Sequence, residues 1–424
     1  MYDLIIKNGR VIDPDTKLDQ VTNVYLKNKK IAGFGNSNEA KEVLDAKNKI
    51  VTPGLFDMHV HLREPGREDK ETIETGLRSA IKGGVTSVLS MPNTTPLADN
   101  QSVIEFQNKR AQELQLSNLF VSGRITKNKK AITEMSEMKT KGIKAVTDDG
   151  QDVQNEKLLQ NVMKWAKTFD LPLLVHAEVE NLAGGSMHEG TVSLELGLDG
   201  ISYATENIAL QKSIFLAQET GCKLHITHLS NRYGLELVKN AKKQGLNITC
   251  EVCPHHLFFS HEKCYEWNTN AKMYPPLREK EDMEALTEGL INNDIDVIAS
   301  DHAPHLLSEK MLPFAEAPNG VVGLETLFAS LNTFLLRENK ISLLSLLEKL
   351  TTKPAKILNV NKGTLEKNSE ADLAIFNLEK KWTVDENKFE TKGKNSIFKG
   401  LELFGKAEHV LVGGDFKLKN EVII

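Results

Sequence analysis

Side chains that can bind metal ions recur in this sequence directly after short apolar runs. The first such run contains His59 and His61, which stand two positions apart, so both side chains point to the same side of an extended strand. Imidazole nitrogens are common ligands of zinc. Two histidines alone fit a solvated strand as well as a metal site, so the pair predicts a metal only if further ligands lie nearby.

Further ligands do follow, each at the end of another apolar run. They are His176, His228, Asp301 and an aspartate of the pair Asp148 and Asp149. The resulting set of four histidines and two carboxylates exceeds what one tetrahedral ion needs. It predicts a zinc site with one or two ions, and two ions sharing a bridging carboxylate fit the larger set better than one.

The apolar runs themselves predict the element that positions these ligands. Eight buried, strand-like runs alternate with helical patterns, which indicates a (β/α)₈ barrel of the TIM type. The runs span residues 51–62, 85–92, 119–125, 143–149, 171–178, 223–229, 247–254 and 296–304. The ligands fall at the carboxyl ends of these runs, where such barrels build their active sites.

Both chain ends have a different pattern from the middle. Short β-branched runs separated by turn residues occupy roughly the first 50 residues and return after residue 360. They predict one small β-sandwich domain built from both ends. The expected division is an N-terminal part of the sandwich over 1–52, a hydrolase barrel over 53–360, and the rest of the sandwich over 361–424.

Composition narrows the class of protein. The 424 residues are 40% hydrophobic and 26% charged, as is usual for a soluble globular protein. The net charge of −5 gives no basic excess for nucleic acid, and neither a membrane-length apolar run nor a signal-peptide pattern is evident. We therefore expect a cytoplasmic protein that acts on a small molecule and binds neither nucleic acid nor membranes.

Other polar residues are expected to be structural. Cys250 and Cys253 are three positions apart and so point to opposite faces of a strand, which predicts core residues rather than a zinc site. His225 is expected to face the helices in a hydrogen-bonded packing role. The roles of His255 and His256 stay open.

Several motifs together resemble the amidohydrolase superfamily and, within it, the long bacterial class I dihydroorotases. The most specific are the segments 57–66, 91–94, 254–257, 275–278 and 301–305. The resemblance runs from one end of the chain to the other. It implies a zinc-dependent reversible hydrolysis of the cyclic amide of (S)-dihydroorotate to N-carbamoyl-L-aspartate, in de novo pyrimidine (UMP) biosynthesis.

The resemblance also implies roles for particular residues. His59, His61, His176, His228 and Asp301 match the zinc ligands, and Asp149 matches the bridging carboxylate. Arg63, Asn93 and His305 match the residues that hold the substrate's carboxylate, and Asp301 is expected to be the catalytic proton shuttle. The loop 317–323 resembles one that covers the substrate in this family, although an ordinary βα connection explains it equally well. A homodimer, and an association with aspartate transcarbamoylase, are expected as in the family.

Two positions help to distinguish a dihydroorotase from other functions that the sequence allows. Hydantoinases, dihydropyrimidinases and allantoinases carry a carboxylated lysine at the end of strand 4, whereas here the nearest lysine, Lys144, stands near the start of that run. Tyr274 departs from the family pattern, because class I dihydroorotases usually have an asparagine there that contacts the pyrimidine ring. The alternatives are therefore another cyclic-amide hydrolase, or a non-catalytic partner of aspartate transcarbamoylase.

Overall fold

The fold alternates strands and helices through its middle and has strands alone near both ends. A computed structural model describes residues 1–37 and 39–424. The strands are β1 (Tyr2–Asp13), β2 (Leu18–Lys27), β3 (Lys30–Gly35), β4 (Ala40–Asp45), β5 (Ile50–Pro53), β6 (Leu55–Val60), β7 (Val85–Ser90), β8 (Asn118–Arg124), β9 (Thr126–Lys127), β10 (Ala131–Ile132), β11 (Ala145–Thr147), β12 (Leu173–Val175), β13 (Met187–His188), β14 (Gly200–Ile201), β15 (Leu224–Ile226), β16 (Ile248–Val252), β17 (Val297–Ile298), β18 (Leu373–Thr383), β19 (Glu402–Val412), β20 (Asp415–Lys419) and β21 (Val422–Ile423).

The helices lie mostly between the strands of the central part. They are α1 (Ile73–Lys82), α2 (Gln101–Leu114), α3 (Met135–Thr140), α4 (Glu156–Thr168), α5 (Thr191–Leu196), α6 (Tyr203–Thr220), α7 (Arg232–Lys243), α8 (Pro254–Phe258), α9 (Lys280–Ile291), α10 (Leu307–Lys310), α11 (Leu327–Leu331), α12 (Leu343–Leu350) and α13 (Thr352–Ile357). Among the described residues, no helix combines the length and apolarity needed to cross a membrane.

Eight parallel strands form the barrel. In the described residues their order is β6, β7, β8, β11, β12, β15, β16 and β17. The ring closes between the last and first strands, where the His61 N–H donates to the carbonyl oxygen of His302 at 2.9 Å. The predicted (β/α)₈ barrel is confirmed, and each strand end that carries a candidate ligand opens towards the same mouth.

Helix α1 shows how the sequence specifies the surrounding layer. Thr72 caps its first turn by accepting a hydrogen bond from the Thr75 N–H, and the chain turns out of the helix at Gly83. The apolar residues at helical spacing, Ile73, Leu77, Ala80 and Ile81, are all buried against the barrel core. Burying such side chains contributes about 1.5–3 kcal/mol for each larger one.

The first predicted strand, 51–62, is divided in the structure. Ile50–Pro53 belongs to the sheet of the chain ends, and Leu55–Val60 begins the barrel. Gly54 separates the two strands, and a Cβ there would lie 2.1 Å from the Thr86 side chain. A glycine is therefore needed where the chain passes closely from one sheet to the other.

The strands of both chain ends join in one sheet. Its hydrogen-bonded order is β21, β20, β19, β18, β5, β1, β2 and β3, with β4 paired to β1. Antiparallel pairing of β18 with β5 connects the two ends of the sequence. The prediction of a small β domain drawn from both ends, made as a β-sandwich, is confirmed as a sheet domain. It packs on the barrel partly through Phe376, whose ring stacks on that of Phe328 at 4.0 Å between centroids.

Candidate metal centre and active site

A pocket of about 360 Å³ opens at the carboxyl ends of the barrel strands. Nine of the ten residues that the sequence placed in the site line it: His61, Arg63, Asn93, Asp149, His176, His228, Tyr274, Asp301 and His305. The tenth, His59, is fully buried beneath them. Residues from seven different parts of the sequence thus meet at the barrel mouth, as their positions at strand ends predicted.

The innermost residues form a group suited to a metal ion. His59, His61 and Asp301 bring three ligand atoms within 4.8 Å of one another, and so do His59, Asp149 and His228. His59 Nε2 and Asp149 Oδ1 are 3.4 Å apart, and among the described residues neither atom has a hydrogen-bond partner. Buried polar atoms are normally paired, so two unpaired ligand atoms facing each other fit a bound cation.

His176 and His228 complete the group on its other side. His176 Nδ1 lies 2.8 Å from His228 Nε2, and the two nitrogens lie 3.9 and 3.8 Å from Asp149 Oδ1. Asp149 therefore lies within 4 Å of all four histidines, with Oδ1 near His59, His176 and His228 and Oδ2 at 3.6 Å from His61 Nε2. This position suits a carboxylate shared by two ions.

The charges of the group match a divalent cation. Burial raises the pKa of Asp149 and of Asp301, but the surrounding imidazoles, His59 first among them, outweigh it and hold both pKa values well below the usual range. Both carboxylates are therefore ionised at neutral pH. Anionic oxygens beside imidazole nitrogens are the donor set that zinc and similar ions prefer.

Glu251 orients two of these ligands from below. Its Oε1 accepts from His59 Nδ1 at 2.5 Å and from the His228 N–H at 3.2 Å. Because His59 donates through Nδ1 to Glu251, Nε2 is the nitrogen that it presents to the metal group. Sequence reasoning missed Glu251, although a charged residue inside the buried run 247–254 was a usable signal.

His225 also bonds to Glu251, through Nε2 at 3.1 Å. The expectation that it faces the helices is therefore wrong, while its hydrogen-bonded packing role is present. The side-chain alternation fails here because β15 ends at Ile226 and His228 has a φ of 31°. Residues 225 and 228 do not point to opposite faces once the strand has ended.

Asn93 links the metal group to the outer pocket. Its Oδ1 accepts from His61 Nδ1 at 3.0 Å, which leaves His61 Nε2 to face Asp301 at 3.1 Å. The amide oxygen of Asn93 is thereby engaged. Its NH₂ group is the part left to donate to an anion in the pocket.

Arg63 and His305 form a cationic and polar wall. Arg63 Nε donates to the Pro304 carbonyl at 3.3 Å, which holds the guanidinium against the pocket. His305 donates from Nε2 to the Asn319 carbonyl at 2.8 Å and accepts at Nδ1 from Lys70 Nζ at 3.1 Å. Burial, together with the neighbouring charge of Arg63, lowers the pKa of His305 to about 3, so this imidazole is neutral.

The loop 317–323 borders this wall. Asn319 and Gly320 line the pocket. The buried Lys310 ammonium donates to the carbonyls of Pro318 at 2.9 Å and Gly320 at 3.2 Å, and so ties the loop to α10. The loop is in contact with the site, and its movement as a lid stays a prediction.

Tyr274 lies on the opposite side, against His176. The two rings are nearly parallel, with centroids 5.6 Å apart and planes at 19°. The Tyr274 hydroxyl donates to Glu178 Oε1 at 3.3 Å. Glu178 lines the pocket too and was not assigned from the sequence.

Three residues of the site have a left-handed backbone. The φ angles are 60° at Arg63, 31° at His228 and 47° at Asp301. Each follows the end of a barrel strand, where the chain turns away from the ring. Such a conformation costs a non-glycine residue about 1–2 kcal/mol, and it aims these side chains into the mouth.

A model of the amidohydrolase family matches residues 50–416. A dihydroorotase of Acetivibrio thermocellus is 40% identical over 426 residues, covering 99% of this chain and 100% of that protein. A dihydroorotase of Geobacter metallireducens is 43% identical over 417 residues, covering 97% and 98%. The chain belongs to the dihydroorotase family of amidohydrolases. The predicted family, a metal-dependent cyclic amidohydrolase, is confirmed.

Solved structures give the same fold for this dihydroorotase-family protein. The L-hydantoinase (dihydropyrimidinase) from Arthrobacter aurescens has a TM-score of 0.91 at 27% identity, covering 100% of this chain and 98% of that one. A dihydropyrimidinase from Brevibacillus agri has a TM-score of 0.86 at 22% identity, covering 100% and 96%. The second similarity concerns the fold alone.

Lys144 separates this dihydroorotase-family chain from the lysine-bridged relatives that the sequence suggested as alternatives. It lines a groove together with Phe120 and Thr352, and it is not among the residues of the metal pocket. The strand end beside the metal group carries Asp149 instead. A lysine in the position of Lys144 has no access to the ligands.

The remaining cysteines and histidines of the dihydroorotase-family chain are buried. Cys250 and Cys253 are free thiols in the core. His255 and His256, whose roles the sequence left open, are also buried, and His256 Nε2 donates to the Pro275 carbonyl at 3.0 Å. With Cys253 they place three potential ligand atoms within 4.8 Å.

Proposed function

We propose that this chain is a cytoplasmic zinc-dependent dihydroorotase, which reversibly hydrolyses the cyclic amide of (S)-dihydroorotate to N-carbamoyl-L-aspartate in pyrimidine biosynthesis. One observation carries the proposal. The pocket joins a metal-ligand group around Asp149 and Asp301 to an anion-binding wall with Arg63, Asn93 and His305. A small ring that bears both a hydrolysable amide and a carboxylate fits such a pocket.

The proposed zinc site uses the ligands that the structure brings together. His59, His61 and Asp301 would hold one ion and His176 and His228 a second, with Asp149 shared between them. Zinc in such a site lowers the pKa of a bound water to about 7 and polarises a carbonyl. The unpaired His59 Nε2 and Asp149 Oδ1 support this assignment.

The protein's own residues would orient the substrate and move the proton. Arg63 offers a planar fork to the substrate's carboxylate and the Asn93 NH₂ supplies a further donor, while His305 packs beside them in the same wall. The ionised Asp301 would take the proton of the attacking water. It would return that proton to the ring nitrogen as the C–N bond breaks.

A substrate panel tests the reaction. Zinc-replete protein would be assayed with dihydroorotate, hydantoin, dihydrouracil and allantoin. We expect turnover of dihydroorotate alone. Hydrolysis of another ring but not of dihydroorotate would favour a hydantoinase-like enzyme, the alternative that Tyr274 supports. If none of the four compounds is hydrolysed, a non-catalytic partner of aspartate transcarbamoylase is favoured.

Asp301→Asn tests the proton transfer. The substitution keeps the size and one ligand oxygen but removes the basic carboxylate. We expect kcat to fall by about 10²–10⁴-fold, the usual contribution of a general acid–base group, with metal largely retained. Steady-state rates and metal analysis measure the two effects, and a variant with near-normal rate would refute the role.

Assembly is part of the proposal. We propose a homodimer, with association to aspartate transcarbamoylase as the larger assembly. The support is the resemblance to class I dihydroorotases. Light scattering of the purified protein, alone and mixed with aspartate transcarbamoylase, distinguishes a monomer, a dimer and a mixed complex.

A further inference from the structure

Three side chains on one wall of the pocket form a hydrogen-bonded chain. His176 Nε2 lies 3.2 Å from Glu178 Oε2, and the Tyr274 hydroxyl lies 3.3 Å from Glu178 Oε1. The Tyr274 ring also lies nearly parallel to the His176 ring. We infer that Tyr274 and Glu178 are positioning residues that together hold His176 in place as a metal ligand; for the reaction, this rests on the function proposed above.

The bond to Glu178 decides which nitrogen of His176 faces the metal group. An ionised carboxylate only accepts hydrogen bonds, so His176 donates to it from Nε2. The lone pair is then on Nδ1, the nitrogen that lies 2.8 Å from His228 Nε2 and 3.9 Å from Asp149. A carboxylate behind a ligating histidine fixes both the tautomer and the ring orientation.

Tyr274 in turn restrains Glu178. The Glu178 side chain is 13% exposed at the pocket wall, where a glutamate with one partner is free to rotate towards solvent. The hydroxyl of Tyr274 occupies its second oxygen, and the phenol ring covers His176. A phenol hydroxyl is protonated at neutral pH, so Tyr274 donates to the Glu178 carboxylate.

This arrangement accounts for tyrosine where the family pattern has asparagine. The Tyr274 hydroxyl donates its hydrogen to Glu178, so that hydrogen is not available to donate to a substrate ring. Its effect on the reaction therefore passes through His176. Removing the hydroxyl should weaken metal binding more than it weakens substrate binding.

Metal affinity of four variants tests the inference without any substrate. Glu178→Gln keeps the shape but loses the charge, Tyr274→Phe keeps the ring but loses the hydroxyl, and Glu178→Gln/Tyr274→Phe combines them. Tyr265→Phe is the matched control, because Tyr265 also donates to a carboxylate, that of Glu195, but on the surface. Zinc affinity would be measured by competition with a chelator.

We expect Glu178→Gln to weaken zinc binding about 10- to 100-fold, as for other partners of ligating histidines. Tyr274→Phe should weaken it about 2- to 10-fold, the effect of one hydrogen bond. The double variant should lose less zinc affinity than the product of the two single-variant fold-changes, because both substitutions act on the same Glu178 carboxylate. Tyr265→Phe should bind zinc as the parent does. Parental zinc affinity in both single variants would overturn the inference.

Kinetics at saturating zinc provide the second readout. Tyr274→Phe should keep its KM for dihydroorotate within about twofold while metal affinity falls. A raised KM with parental zinc affinity would overturn the inference, because Tyr274 would then contact the substrate directly. A parent protein that turns over no dihydroorotate would refute the proposed function, yet the zinc affinities would still decide the positioning roles.

Discussion

The two ends of the Asn93 side-chain amide have different roles. The oxygen accepts from His61, and the NH₂ is left for a partner in the pocket that Asn93 and Arg63 both line. An aspartate would still accept from His61. It would remove the donor and place a negative charge where the substrate's carboxylate is proposed to bind.

We therefore expect Asn93→Asp to lower kcat/KM by about 100-fold or more, mainly through KM, because a charge-assisted hydrogen bond becomes a repulsion. Metal content should be unchanged, since the bond to His61 Nδ1 survives. Steady-state kinetics and metal analysis measure both. An unchanged KM would show that Asn93 does not contact the anion.

Glu251 offers a prediction about metal affinity. All three of its partners donate to it, namely His59 Nδ1, the His228 N–H and His225 Nε2. Glu251→Gln places an amide NH₂ among these donors and removes the charge that favours donation from His59. We expect zinc to bind about 10- to 100-fold more weakly, as measured by chelator competition. Parental affinity would mean that the tautomer of His59 is set elsewhere.

For single residues, the sequence predicted which side chains lie in the site better than it predicted their hydrogen-bond partners. The six ligand candidates were chosen because each stands at a strand end, a local property that a pattern reveals; the structure brings them together, and their binding of metal stays a prediction. Glu251 was missed because its role depends on His59, 192 residues away in the chain. His225 was placed on the wrong face because the alternation was extended past the end of β15.

Helix α1 is joined to the returning C-terminal segment by one carboxyl group. Glu325 Oε1 accepts from the Ser79 hydroxyl at 3.0 Å and from the Glu390 N–H at 2.8 Å. Burial raises the pKa of Glu325 from 4.5 to about 7. The protonated form is therefore favoured in the folded protein. Its stabilising contribution is complete below pH 4.5 and is lost as the pH rises through 7.

Glu325→Gln should remove this dependence. The variant and the parent should be similarly stable near pH 5, and near pH 8 the variant should be more stable by up to about 3 kcal/mol. Denaturant unfolding at both pH values measures the difference, with the exposed Glu288→Gln on α9 as control. A constant difference between parent and variant across this range would contradict the assignment.

Strands and helices were predicted correctly where the spacing of their apolar residues determines the type of element. The eight barrel strands and α1 were found, and their order follows from repeated βα units. The division of the first strand at Gly54 was not found, because both halves are buried and extended. Only the close approach of Thr86 shows that the chain changes sheets there.

At the scale of the whole molecule, the C-terminal segment around Asn395 returns to the barrel mouth. Asn395 Nδ2 donates to the carbonyls of Ala303 and Gly320, each at 3.0 Å, and its Oδ1 accepts from the His305 N–H at 3.1 Å. One side chain thus ties the anion-binding wall to the loop 317–323. The composition pattern that assigned 361–424 to the β domain gives no sign of this contact, and the domain limits stay a proposal.

Asn395→Ala should loosen the wall at a distance from the metal. We expect KM for dihydroorotate to rise about 10-fold, because three hydrogen bonds to the backbone of the pocket are lost while the ligands are untouched. Zinc affinity should stay at the parental value. Steady-state kinetics measure KM and chelator competition measures zinc affinity. A lower zinc affinity with an unchanged KM would contradict the expectation that Asn395 acts on the substrate wall and not on the metal ligands.

The left-handed backbone at Arg63, His228 and Asp301 has an evolutionary consequence. Each residue is held in a conformation that glycine adopts without strain, so the most heat-resistant sequence for this fold is not the most active one. A library selected only for survival of heating should accumulate glycine at these three positions and lose catalysis as it gains melting temperature.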